Sequence, residues 1–229
     1  MSAQFAAHAL TPAALEQAYR AMVFNWLPAA HAHRDWLGPW ADLLEPRERA
    51  SLSLLRRASQ VLLDRHGLRQ RYLRNDADHT WLLESEVTIR RLAQELGVAM
   101  LGAWVRHSLE RAEVVRQLLV LGPAGRKRAM AYATALRALP YPTYPSSDAA
   151  PFGVNDERWP IALSGPESVG QLGASCLAAL LTDESSGAKA RFVMRFPQGM
   201  VVPLQLNSAQ QREAQGLIQR VLQQDEVCT

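Results

Sequence analysis

Between Glu86 and about His107 the residues Ile89, Leu92, Ala93, Leu96, Met100, Ala103 and Trp104 recur at three- and four-residue steps, with Arg90, Arg91, Gln94 and Glu95 between them. An α-helix turns once every 3.6 residues, so this spacing gathers the apolar side chains into one stripe and predicts a long helix with one covered side. It is the strongest periodic signal in the chain. Gly97 and Gly102 interrupt it. Each glycine costs about 1 kcal/mol relative to alanine in a helix interior, so the two positions predict either close helix packing or a bend.

Helical spacing recurs elsewhere. Thr11 before Pro12 is a helix start, a capping hydroxyl ahead of a proline whose missing N–H is harmless at the first helical position. Leu15, Ala18, Tyr19, Met22 and Trp26 then mark one face, and Pro28 ends the helix. A second helix is expected from Pro46 to about His66, with Ser51, Leu55, Ala58 and Leu62 on its apolar face and Gly67 as its left-handed terminator. The segment LRQRYLRNDADHT after it is polar and reads as a short helical turn plus a loop. Val114, Val115, Leu118 and Leu119 belong to a further helix that stops at Gly122, and Pro123 opens an alanine-rich one through Leu139.

Six prolines fall between 140 and 166, with Tyr141, Tyr144, Phe152 and Trp159 among them, which marks an excursion laid against the surface. A helix from Pro166 to about Leu181 turns Val169, Leu172, Cys176 and Leu180 inward, with Gly170 and Gly173 allowing close approach. The period then changes. In ARFVMRF, Phe192, Met194 and Phe196 alternate with Arg191, Val193 and Arg195, the two-residue repeat of a strand with one wet face. Pro197, Gln198 and Gly199 supply a turn, and MVVPLQL reads as the returning strand, held to a sheet edge by Pro203. Ser208 and Gln211 form a capping box for a closing helix with Leu217, Ile218, Val221 and Leu222 inward. The expected class is mainly α (α+β): one helical domain over residues 1–229, with a small C-terminal β-hairpin and a Pro-rich excursion at about 140–166.

Composition agrees with a globular chain, with 48% hydrophobic and 21% charged residues in a length sufficient for one sizeable core. The net charge of +3 is unevenly spread: residues 1–139 carry 19 Lys+Arg against 13 Asp+Glu, and residues 140–229 carry 6 against 9. Two cysteines in unlike settings, Cys176 and Cys228, are no disulfide framework and fit a reducing cytoplasm. MSAQFAAHALTPAAL lacks a basic leader region, and nowhere do about 18 apolar residues run without a charge, so neither a signal peptide nor a membrane span is expected.

Chemistry-bearing motifs are sparse. GPAGRKRA, from Gly122 to Ala129, separates its glycine from Lys127 by Arg126 and has no hydroxyl after the lysine, so it is not a phosphate loop. His31 and His33 are too few to hold a metal without a Cys or carboxylate pattern nearby, and solvated loop histidines are the simpler reading. No G-x-S-x-G, H-E-x-x-H or G-x-G-x-x-G is present, which points away from an enzyme, and no cofactor is expected.

Two features remain as candidate binding chemistry. MVFNWLPAAHAHRDWLGPW holds three of the six tryptophans, Trp26, Trp36 and Trp40, together with Pro28 and Pro39. Such aromatics either fill a core or anchor a partner. Arg65, Arg69, Arg71 and Arg74 are the densest basic run, joined by Arg56 and Arg57 and containing Tyr72. They are either a solvated face, partly neutralised by Asp64, Asp76 and Asp78, or a phosphate-binding surface of a helical nucleic-acid-associated protein.

FNWLPAAHAHRDWL resembles the opening signature of the SctK family (YscK/PscK-like), the cytosolic adaptors of bacterial type III secretion sorting platforms. RRLAQELGVAMLGAWVRHSLERAEVVRQLLVLGP resembles the family's central run, and RALP, GASCLAALL and RFVMRFPQGMVVPL follow in the same order, so the resemblance touches most of the chain. It implies a non-enzymatic, cytoplasmic virulence-associated protein peripheral to the inner membrane. Such an adaptor joins the forkhead-associated-like cytoplasmic domain of the inner-membrane ring protein to the C-ring-like platform subunit, and so indirectly to the stator and export ATPase, with no nucleic acid bound and no direct membrane insertion. On this reading Trp26 and Trp36 fix the first helix to the core, and the loop from Pro28 to Pro39 offers an edge to a partner. The expected partner-binding residues are Trp26, Pro28, Trp36, Trp40, Arg65, Arg69, Arg71 and Arg74.

Overall fold

The computed structural model describes residues 11–69, 77–107, 110–139, 163–181 and 186–227. Residues 140–162 of the Pro-rich excursion, Arg71, Arg74, Tyr72 and Cys228 lie outside the described residues, while Pro166 at its end opens the helix that follows. Of the described chain 75% is helical, with no strand.

Ten α-helices follow in order: α1 Pro12–Trp26, α2 Arg34–Leu37, α3 Trp40–Leu43, α4 Leu52–Arg65, α5 Glu86–Met100, α6 Gly102–His107, α7 Arg111–Ala135, α8 Pro166–Ala179, α9 Ser186–Val193 and α10 Ser208–Val227, counted among the described residues. Short 3₁₀ turns at Pro28–Ala30, Arg47–Arg49 and Ala77–Leu83 join some of them.

The main core is built on the crossing of α5 and α8. Ile89, Leu92 and Leu96 of α5 and Val169, Leu172 and Leu177 of α8 are wholly buried. A Cβ on Gly97 would lie 1.9 Å from the Val169 carbonyl oxygen, and one on Gly173 would lie 1.6 Å from that of Ala93. Both distances are far inside van der Waals contact, so the two backbones touch because neither glycine has a side chain. Gly170 plays no such part, since a Cβ there meets only Gln94 Oε1 at an ordinary 3.5 Å. Gly102 begins α6 after a turn at Leu101, where the long periodic run bends, and its Cα faces Ala129 and Ala133 of α7. Gly122, at φ +67, breaks α7 ahead of Pro123, as the left-handed terminator and N-terminal proline predict.

The aromatic stretch after α1 makes a second, smaller cluster. Ala29, Ala32, Leu37, Ala41 and Leu44 bury themselves against Ala58, Leu62, Leu63 and Leu68 and against Met194, with Trp36 and Trp40 half-buried beside them. Ser59 Oγ accepts the Ala29 N–H inside it. Pro46 does not open α4: a 3₁₀ turn follows it, and Ser51 is the N-cap, accepting the Leu54 N–H, with Gly67 at φ +62 beyond the far end.

The expected β-hairpin is absent. Phe192 and Phe196 of ARFVMRF, with Ala188 just before it, also lie four apart, which is helical spacing. The chain takes that option in α9, and turn bonds to Ala190, Phe192 and Val193 carry the coil on to Phe196. The supposed wet face is dry. Arg191 is 3% exposed and donates to the carbonyls of Asn25, Gly187 and Leu68, tying α1, α9 and the end of α4 together. Arg195, 7% exposed, donates to the Glu84 carbonyl and lies over the Phe24 ring. Phe192 and Phe196 join the main core while Met194 joins the smaller one, so this segment links the two. With no strand to pair with, MVVPLQL runs along α8, where Val202 N–H donates to Ser175 Oγ. The capping box of α10 sits one residue earlier than expected: Asn207 Oδ1 accepts the N–H groups of Ala209 and Gln210, and Gln210 Oε1 accepts that of Asn207.

Candidate interaction surfaces

α1 begins where Thr11 Oγ1 accepts the Ala14 N–H and ends before Pro28, which has no N–H to continue it. Its buried anchor is Phe24, on the side facing the core. At 100° per residue Leu15, Tyr19, Met22 and Trp26 fall within an arc of about 60° on the opposite side. They are 53%, 62%, 46% and 49% exposed. A stripe with the period of a core face therefore looks outward, and Trp26 does not fix the helix to the core.

The foot of this stripe borders a cleft of about 400 Å³ lined by Met22, Trp26 and Leu27, by Arg56, Gln60 and Leu63 of α4, and by Arg69. Arg69 is ion-paired with Asp64, whereas Arg56, Arg57 and Arg65 have no carboxylate partner among the described residues. The surface is thus an apolar ridge with a basic bank.

A second outward stripe lies on α7. Val115, Leu118 and Leu119 are exposed, and the residues of that turn which face inward are Gln117 and Val120. Gln117 is held by Trp104 O, to which it donates, and by Arg126, from which it accepts. Past the break at Gly122, a shallow groove of about 580 Å³ is lined by Leu118, Pro123, Arg126, Lys127, Met130, Ala131 and Thr134.

The flank of α1 away from α4 borders a third cleft, of about 540 Å³, holding Tyr19, Arg20, Val23, His31, Leu83, Glu84, Ser85 and Arg195. Burial, reinforced by Arg195 and Arg47, lowers the His31 pKa to about 4, so its ring is neutral at pH 7. Ser85 Oγ is engaged as the α5 cap, accepting the Thr88 N–H. Arg20 pairs with Glu16 and Glu84. His33 is a helix cap for α2, its Nδ1 accepting the Asp35 N–H, and it does not join His31 in a ligand set: among the described residues no group of three or more His, Cys, Asp or Glu side chains could hold a metal. Cys176 is sealed in the core, and burial pushes its thiol up to about 12.

Of the residues expected to bind a partner, Trp26 and Arg69 meet in the α1–α4 cleft. Pro28 is buried. Trp36 donates from Nε1 to the Phe196 carbonyl at 2.7 Å and meets His66 edge-on, and Trp40 packs on the smaller core. Arg65 is exposed at the end of α4, and Arg71 and Arg74 lie outside the described residues. Sequence reasoning passed over Arg56 and Gln60 as cleft residues and Val115, Leu118 and Leu119 as surface. The available signal was the α7 pattern itself, where a polar Gln117 sits between apolar neighbours. Among the described residues no helix is long and apolar enough to cross a membrane. Compared with family models, with curated proteins and with solved structures, the chain matches none.

Proposed function

We propose that this chain is a non-enzymatic adaptor of a bacterial type III secretion sorting platform. It works in the cytoplasm beside the inner membrane, linking the forkhead-associated-like cytoplasmic domain of the ring protein to the C-ring-like platform subunit. The observation that carries this reading is the pair of outward apolar stripes on α1 and α7. They are built on helices that pack against different neighbours, α1 on α4 and α9, α7 on α5, α6 and α8. A protein that joins two partners needs two such faces, and large exposed apolar side chains in contiguous patches are the usual mark of protein contacts. The partners named are those that the ordered resemblance of segments from Phe24 to Leu204 implies.

Co-expression of the tagged chain with each subunit, followed by mass determination on a sizing column, tests it. Tyr19→Glu with Met22→Glu should remove one partner and Leu118→Glu with Leu119→Glu the other, while circular dichroism shows both variants folded. A well-folded chain that binds neither subunit at micromolar concentration sinks the reading.

A further inference from the structure

The α1 stripe runs from Leu15 to Trp26, three turns or about 16 Å of helix, with exposed side chains at steps of four, three and four residues. That is the register in which one helix receives another, through anchors at i, i+3 or i+4, and i+7. The chemistry of the bank is one-sided. From Leu52 to Arg69 the chain carries four arginines and one aspartate, and that aspartate, Asp64, is already taken by Arg69. Arg56 lines the cleft itself, and neither it nor Arg57 or Arg65 has a carboxylate partner among the described residues. On α1, Glu16 is satisfied by Arg20.

We infer that the exposed ridge of α1 and the cleft at its foot, between α1 and α4, together dock an amphipathic helix of a partner protein, its apolar side chains running along Leu15 and Tyr19 to Met22 and Trp26 at the cleft and its flanking carboxylates on Arg56 and the arginines beyond it. Charge complementarity selects this occupant. A second copy of the chain, set stripe to stripe, brings two arginine banks together, and like charges across an interface disfavour it. A bilayer is flat, whereas Arg56 and Arg69 stand inside a concavity between two helices, a shape that fits a ridge of side chains. The inference rests on the adaptor reading only in taking the occupant to be a protein; it holds for any acidic amphipathic helix, whichever subunit carries it.

The test is a selection on the full chain with a display library of peptides about 16 residues long, apolar at helical spacing and randomised among Glu, Gln and Lys elsewhere. Enriched peptides should be net acidic, bind in the micromolar range, and weaken about tenfold or more on Met22→Glu and on Arg56→Glu. Leu119→Glu on α7 should leave them unaffected, and thermal melts should show all three variants folded. The inference is overturned by no enrichment, by enrichment of neutral or basic peptides, or by binding insensitive to both α1–α4 variants. It is also overturned if Met22→Glu instead abolishes self-association or binding to phosphatidylglycerol vesicles, or if deleting residues 1–10 is what opens the cleft. Because no subunit of the secretion platform is used, failure here is distinct from failure of the co-expression test.

Discussion

α1 and α5 are both 15-residue helices with a stripe of large apolar side chains at three- and four-residue steps, and they end up in opposite surroundings. Leu92 and Leu96 of α5 are wholly buried, while Leu15 and Tyr19 of α1 are more than half exposed. Periodicity establishes that a helix has an apolar side. What covers that side depends on the neighbour. α5 is met by α8, whose Gly173 lets the two backbones touch, whereas α1 turns Phe24 to the core and leaves its longer stripe to something else.

The sharpest way to break the buried half of this contrast is Gly173→Val. Its Cβ would start 1.6 Å from the Ala93 carbonyl oxygen, and backbone cannot step aside as a side chain can. We expect no cooperative urea transition from this variant. Leu96→Ala, which empties a wholly buried site on the same helix, should lower stability by about 2–5 kcal/mol in urea melts.

A smaller effect comes from acid. His31 holds a folded-state pKa of about 4 against an ordinary 6.5, because burial and two arginines disfavour its charged form. Its contribution is complete above about pH 6.5 and is lost as pH falls from there towards 4, by an amount on the order of 3 kcal/mol. His31→Asn should flatten that part of the stability profile relative to wild type, measured by urea melts across the range. Least of all, Leu15→Ala or Tyr19→Ala should change stability by no more than about 0.5 kcal/mol. A large loss from either would mean that the α1 stripe is core after all, and would end the contrast.

Most helices were legible in the sequence, because caps and period act locally: Thr11, Gly67, Gly122 with Pro123, and the stripe of α5 all stand where the pattern predicts. The failures are tertiary. ARFVMRF satisfies both a two-residue and a four-residue repeat, and the choice fell to the helix because Arg191 finds three backbone carbonyls in the interior. Arginine read as solvent-facing was wrong for a physical reason: a guanidinium whose N–H groups are taken up by carbonyls can be buried. Trp81, edge-on to Phe192 in the main core, follows a run so polar that nothing nearby announced it. Of the candidate surface, Trp26 and Arg69 were legible as residue types. That Arg56 shares their cleft depends on how α4 lies along α1, which no local signal encodes.

The backbone contact of α5 with α8 also governs how far such a chain can drift and keep its shape. Leucines and valines around a core can be exchanged in compensating sets, because a lost methyl in one side chain can be restored in another. Gly97 and Gly173 have nothing to exchange, since each is defined by an atom that is missing. Descendants of this fold could thus lose nearly all recognisable similarity in their apolar positions while those two sites, 76 residues apart in the chain, stay bare.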